Sequence, residues 1–272
     1  MYFQWNQIKQ FCNVAMERKR QKTGTGSGKD YGLNYLDLPF ENILREYRKN
    51  NILKLINKKS HRRFLEIGCG PEPMFRTFSD FDRMTIVEPG KLFYDMAKKE
   101  AETDPRIIIF NNQIENITGI LNKDNFDFIV IGGFLHEIKN PEAVLNSVRK
   151  ISSKETHIYS FVPNARSFHR LLALEMGITS SIYQKSEHDQ LFERQNVFDI
   201  NGFNDLLSRN GFLILESGSY FIKPFTHDQM DKLLRFGIID KSCLSGLDKM
   251  IKFLPDLGAE LWNICTIDDK IS

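Results

Sequence analysis

Apolar residues recur at helical spacing near the start of the chain, where Trp5, Ile8, Cys12 and Ala15 share one face ahead of a charged run from Glu17 to Lys22. Residues 23–29 are small, polar and glycine-rich, the composition of a flexible loop. A second amphipathic helix is predicted where Phe40, Ile43, Leu44 and Tyr47 fall on one face just after Pro39. From residue 63 the pattern changes to short apolar runs at 63–67, 84–88, 106–110, 126–131 and 156–162. Between them lie helical patterns such as Leu92, Phe93, Met96 and Ala97. Another starts at Asn140, a good N-cap, with Pro141 at the first helical position and Val144, Leu145, Val148 and Ile151 on one face. Apolar runs buried on both faces and joined by helices predict a parallel α/β sheet. A helix at 203–210 closes at Gly211 and leads into a strand at 212–216, and 260–267 supplies the last strand. The intervening stretch 163–199 is long for a connection, and connections of that length are usually functional.

Composition narrows the class. With 41% hydrophobic and 26% charged residues, a chain of 272 residues has ample material for a core. Thirty-seven basic against 35 acidic residues leave a formal charge of +2, too small a surplus for a dedicated nucleic-acid binder. No apolar run approaches the roughly 20 residues of a membrane helix, and the first ten residues lack the plan of a signal peptide. The four cysteines, at 12, 69, 243 and 265, have neither CxxC nor zinc spacing. They fit a reduced, cytoplasmic protein, with Cys243 and Cys265 as core candidates, and no metal-ligand cluster is legible.

The most informative segment is Leu65-Glu66-Ile67-Gly68-Cys69-Gly70, directly after a strand. Gly68 and Gly70 permit a tight turn and a close approach of backbone to ligand. The next strand ends in Glu88, placed to accept hydrogen bonds from both hydroxyls of a ribose or, alternatively, to sit at a helix N-terminus. A dinucleotide turn would carry a third glycine where Pro73 stands. A cofactor without phosphates fits better, and a dehydrogenase ranks third. The segment 23–29 imitates a phosphate-binding loop only superficially, because Thr23 replaces its first glycine, Asp30 its Ser/Thr, and no strand precedes it.

LEIGCG with an acid ending the second strand resembles the class I methyltransferases dependent on S-adenosylmethionine. Later segments agree: Asn112-Gln113-Ile114 after the third strand, the strand Phe126 to Ile131, the post-strand Gly132-Gly133-Phe134-Leu135-His136-Glu137, and Asn140-Pro141 opening a helix. The stretch from Pro163 to Leu172 (PNARSFHRLL) and that from Phe221 to Met230 resemble a narrower bacterial group associated with small-molecule and surface-polysaccharide methylation. The resemblance covers residues 60–267. It implies a Rossmann-like fold with a mostly parallel seven-stranded sheet and helices on both faces. Domain organisation is expected as an N-terminal helical cap at 1–57 and a cofactor domain at 58–272, with a lid insertion around 163–199. By the same resemblance Glu66, Gly68, Cys69 and Gly70 line the methionyl end of S-adenosylmethionine, Glu88 its ribose and Asn112, Gln113 and Ile114 its adenine, and Gly132, just after the fourth strand, joins the cofactor-binding set.

The acceptor side is read from residue chemistry. His136 lies just past the fourth strand, where an imidazole can take a proton from a hydroxyl or, equally, tie the loop together. Glu137 and His169 are the reserve candidates. Arg166 and Arg170, four residues apart, fall on one face of a helix starting near Ser167, and guanidinium groups suit phosphate or carboxylate. Arg170 paired with Glu175 is the bland alternative. Arg194 joins the acceptor set, standing where the narrower group often has histidine. The expected substrate is a small, anionic, phosphate-bearing or sugar-linked acceptor. A non-catalytic subunit that keeps the cofactor fold is the alternative from a different class.

Overall fold

The computed structural model describes residues 39–57, 61–121, 125–185, 189–190, 194–268 and 270. The helix expected over residues 1–16 and the glycine-rich loop at 23–29 lie outside them.

Five strands run parallel in the centre of the molecule: β1 (Arg63–Ile67), β2 (Arg83–Val87), β3 (Ile107–Phe110), β4 (Phe128–Ile131) and β5 (His157–Pro163). Two further strands, β6 (Phe212–Tyr220) and β7 (Glu260–Ile267), complete a seven-stranded sheet of order β3-β2-β1-β4-β5-β7-β6. β7 pairs antiparallel with both β5 and β6. The chain winds outward from β1 through β2 to β3, then returns to place β4 on the other side of β1. That reversal opens a crevice at the carboxyl ends of β1 and β4, where open α/β sheets bind ligands.

Alternation along the inner strands decides which helix each face receives. Leu65, Ile67, Ile129 and Ile131 share a core with helices α3 (Ile114–Leu121), α4 (Pro141–Lys150) and α6 (Ile200–Arg209). Phe64, Phe128 and Val130 point the other way, against Ile52, Leu55 and Ile56 of helix α1 (Pro39–Ile56) and Ala97 of α2 (Lys91–Ala101). Asn140 caps α4 as its sequence predicts, accepting the N–H of Ala143 at 3.1 Å, and Pro141 opens the helix. Cys265 is fully buried in the first core, whereas Cys243 is only partly covered.

The stretch 163–199 is not featureless. Helix α5 (Phe168–Glu175) lies within it, and its ends are tied together where Asn164 bridges Phe198 and the N–H of Ala165 donates to the Phe198 carbonyl at 2.8 Å. Helices α7 (His227–Arg235) and α8 (Lys241–Lys249) follow β6. They enclose a third apolar cluster with the N-terminal half of α1, through Phe40, Leu44, Tyr220, Phe221, Met230 and Leu244. Among the described residues no helix is long and apolar enough to cross a membrane.

Candidate active site

The turn after β1 is built by backbone. Gly68 and Gly70 have φ of +76° and +57°, a region that costs any other residue energy. The Gly68 N–H donates to the Val87 carbonyl at 2.8 Å, and the Gly132 N–H to that of Ile67 at 2.8 Å, so the ends of β1, β2 and β4 are stitched together. A Cβ on Gly132 would stand 2.0 Å from the Gly68 carbonyl oxygen, and one on Gly68 would stand 2.9 Å from the Phe134 ring. At Gly68, then, the glycine requirement comes from φ and from Phe134. Gly70 faces open space, with nothing within 4 Å of where its Cβ would be.

Two acids meet this turn. Glu66, 5% exposed, accepts the Met74 N–H at 3.0 Å, and burial pushes its carboxyl up to about 8. Glu88, equally buried, accepts the N–H groups of Gly70 at 3.1 Å and Gly90 at 2.7 Å. Burial raises its pKa as well, opposed by those two donors. Glu88 thus braces the turn and the start of α2, and its carboxylate keeps further acceptor capacity. Cys69 lies buried beside it, its thiol pushed up by burial and by both carboxylates.

After β3, Asn112 is exposed, its side-chain oxygen accepting from the Gln113 N–H at 2.9 Å and from the side-chain amide of Asn116 at 3.1 Å. Gln113 is exposed, whereas Ile114 turns into the core with Val87 and Leu121. Asn111, passed over in the sequence, reaches back to donate to the carbonyls of Glu88 and Pro89 at 2.9 and 3.1 Å, which fixes the end of β2.

His136 lies 3% exposed beyond β4. Among the described residues neither ring nitrogen has a hydrogen-bond partner, and the nearest carboxylate oxygen, of Glu137, is 3.5 Å from Nε2. Its carbonyl, by contrast, accepts from the N–H groups of both Gln195 and Asn196 at 2.9 Å. The loop is thus tied by backbone, and the imidazole is spare. Burial, and next the Arg194 guanidinium, hold its pKa well below the usual histidine value, so the ring is neutral at pH 7. It borders a cavity of about 20 Å³, room for about one water molecule, lined also by Asn164, Arg170, Asp189, Arg194 and Asn196.

The structure separates the arginines that the sequence grouped. Arg166 precedes α5 and is exposed. Arg170 is inside, donating to Asp189 at 3.1 Å and to the carbonyls of Ile182 and Gln184 at 2.7 and 2.6 Å; its carboxylate partner is Asp189 and not Glu175. Arg194 donates to the other oxygen of Asp189 at 2.9 Å. His169 also faces inward, its Nδ1 buried and, among the described residues, without a hydrogen-bond partner, and its pKa is held well below the usual value by burial and by Lys223.

Sequence inspection missed the charged groups that complete this interior. Arg48 of α1 binds both oxygens of Glu260 at the start of β7, donates to Glu41 at 3.0 Å, and lies 4.5 Å over the Phe161 ring. Lys223, in the segment after β6, and His227, at the start of α7, join the same cluster. Arg48 and Glu260 come from distant parts of the chain, a pairing that no local spacing betrays.

The sequence of residues 40–217 matches a family described as a methyltransferase domain. No curated protein is significantly similar in sequence. Among solved structures, the fold is similar to the plantazolicin methyltransferase BamL in complex with a triazolic desmethylPZN analog and S-adenosylhomocysteine (17% identity, TM-score 0.56, covering 89% of this chain and 91% of that one). It is similar also to the N-methyltransferase NodS from Bradyrhizobium japonicum WM9 in complex with S-adenosyl-L-homocysteine (13% identity, TM-score 0.52, covering 86% and 90%). A third is an S-adenosylmethionine-dependent methyltransferase from Mesorhizobium loti (13% identity, TM-score 0.51, covering 76% and 91%). With nearly two-thirds of its length matched and the seven-stranded sheet and glycine turn in place, the chain belongs to the methyltransferase domain family.

Proposed function

We propose that this protein transfers a methyl group from S-adenosylmethionine to a small anionic acceptor, phosphate-bearing or sugar-linked, by O-methylation. The observation that carries the reading is the junction of Gly68, Gly132 and Glu88: a backbone-lined turn at the reversal of strand order, with a buried acid ending the next strand. The residues fit the cofactor. Gly70 opens the turn, Glu66 offers a buried carboxyl toward an ammonium group, and Glu88 offers acceptors for ribose hydroxyls. Asn112, Gln113 and Ile114 supply the stretch for the adenine.

When bound, this cofactor supplies a methyl group on a cationic sulfonium, open to direct displacement. The chain's work is to align the acceptor, exclude water and take the departing proton. His136 is suited to the last task because it is buried, neutral and without a hydrogen-bond partner on either nitrogen. Glu137 and His169 remain the alternates for that task. Helix α1 and the stretch 163–199 are assigned to cover the acceptor, which gives their buried polar residues a purpose. Resemblance of the segments 163–172 and 221–230 to the bacterial group supports a role in surface-polysaccharide or related biosynthesis.

The test is turnover. Protein incubated with methyl-labelled S-adenosylmethionine and a panel of nucleotide-sugars and phosphorylated metabolites should release S-adenosylhomocysteine and label one class of acceptor. Cofactor binding without turnover on any acceptor would favour a non-catalytic subunit.

A further inference from the structure

Among the described residues the largely covered interior beside the crevice brings together the cations Arg48, Arg170, Arg194 and Lys223 and the carboxylates Glu41, Asp189 and Glu260. Each arginine contacts a carboxylate. Lys223 is different. It is 4% exposed, and among the described residues its ammonium contacts only Nδ1 of His227, at 3.1 Å, with no carboxylate in ion-pair range. An ammonium has three hydrogens to donate, so two remain.

His227 is itself oriented. Its Nε2 lies 3.3 Å from Glu41, whose carboxyl is held well below the usual range because His227 and Arg48 outweigh its burial. An ionised Glu41 favours the tautomer with hydrogen on Nε2, leaving the Nδ1 lone pair to accept from Lys223. Glu41, His227 and Lys223 thus form a chain from α1 through α7 to the segment after β6. That segment turns inward at Phe221, a fully buried residue at φ +57°, which costs a bulky side chain energy and is held by the Ala259 N–H on its carbonyl at 2.8 Å. His169 is within electrostatic reach of Lys223 and keeps its buried Nδ1 without a partner.

A buried ammonium with no counter-charge is costly unless it loses its proton or meets an anion. We propose that Lys223 is the acceptor-anchoring cation of this protein, taking a carboxylate or phosphate of the substrate, with His227 and Glu41 as positioning residues behind it. This rests on the methyltransferase reading. It moves the anion grip away from Arg170 and Arg194, whose charges Asp189 already answers.

The groups facing Lys223 set its pH response. Burial lowers its pKa to about 7, Glu41 and Asp189 act to raise it, and Arg194 and Arg170 to lower it further, with His169 and His227 neutral nearby. Anion binding should therefore weaken as pH rises through about 7.

The experiment is calorimetric titration of the whole protein, loaded with S-adenosylhomocysteine, with inorganic phosphate and separately with acetate across pH 6–9. Wild type should bind at least one of them, and Lys223→Met should bind it at least tenfold more weakly. Lys223→Arg should recover part of the loss, and Lys252→Met, at an exposed lysine, should behave as wild type. His227→Phe should move the pH midpoint of binding downward without lowering the melting temperature. Should Lys223→Met fail to fold, Lys223→Gln carries the same test. Anion binding that is absent in wild type, or equal in the Lys223 variants, overturns the proposal. If S-adenosylhomocysteine itself does not bind, the methyltransferase reading falls instead, and the two failures are read from separate titrations.

Discussion

Gly132 and Gly68 are packed backbone against backbone: a Cβ on Gly132 would sit 2.0 Å from the Gly68 carbonyl oxygen. The contact joins the ends of β4 and β1 at the point where strand order reverses. Neither partner is a flexible side chain that can move aside, so Gly132→Ala should destabilise the fold by about 3 kcal/mol or more, at the upper end of overpacking costs. Gly119→Ala provides the contrast. It lies exposed in α3 with nothing within 4 Å, and should be neutral or stabilising by up to about 1 kcal/mol. Urea midpoints of the two variants check the pair.

Glu88 is expected to serve both the turn and the cofactor. Glu88→Ala leaves the N–H groups of Gly70 and Gly90 without their acceptor and removes the proposed ribose contact. Affinity for S-adenosylhomocysteine should fall by about 1.5–3 kcal/mol, the scale of hydrogen bonds to a charged group. Stability should fall by about 1–3 kcal/mol in the same variant. A change in melting temperature with unaltered affinity would confine Glu88 to the turn.

Glu66 is expected to link cofactor binding to protons. Burial raises its pKa from 4.5 to about 8, so the folded, cofactor-free protein holds a proton there that the unfolded chain has lost at pH 7. The folded state binds more protons between those values, and its stability should decline as pH rises from 4.5 to 8. Glu66→Gln should flatten that slope in thermal melts. An ammonium group brought to Glu66 favours the carboxylate, so cofactor binding at pH 7 should release a proton. Binding enthalpies in buffers of different ionisation heat measure that release directly.

His136 should separate chemistry from binding. His136→Asn is expected to keep cofactor affinity while turnover of a hydroxyl acceptor falls by about 10²–10⁴-fold. The wild-type rate should hold as pH drops past 6.5 and fall only further down, because burial and Arg194 keep the ring neutral there. Full activity in His136→Asn would pass the role to His169 or Glu137.

Arg170 and Arg166 should differ sharply in stability measurements. Arg170 holds Asp189 and two backbone carbonyls inside the protein, and its removal should cost about 1–3 kcal/mol. Arg166→Ala, at an exposed position, should stay within about 0.5 kcal/mol of wild type.

The strands with continuous apolar runs were legible almost to the residue, β1 and β7 among them, because burial on both faces leaves no other arrangement for such runs. β6 runs four residues beyond the end that its sequence suggests. It lies at the sheet edge, pairing only with β7, so Ser217, Gly218 and Ser219 continue it without an apolar pattern to mark them. The turn after β1 was legible because its glycines answer a local need for positive φ. The acceptor side was not. Arg166 and Arg170 are four residues apart, but α5 starts only at Phe168, and the shared face that helical spacing implies is lost. Lys223, Glu41, Arg48 and Glu260 meet only because α1, β7 and the segment after β6 converge, which no short window of sequence records.

The glycine turn and Glu88 are expected to receive S-adenosylmethionine. Calorimetric titration of the purified protein with S-adenosylhomocysteine, and separately with a nicotinamide dinucleotide, tests this most directly. Saturable binding of one S-adenosylhomocysteine per chain, weakened in Glu88→Ala and absent for the dinucleotide, is the predicted result. No binding of S-adenosylhomocysteine, or preference for the dinucleotide, would contradict it.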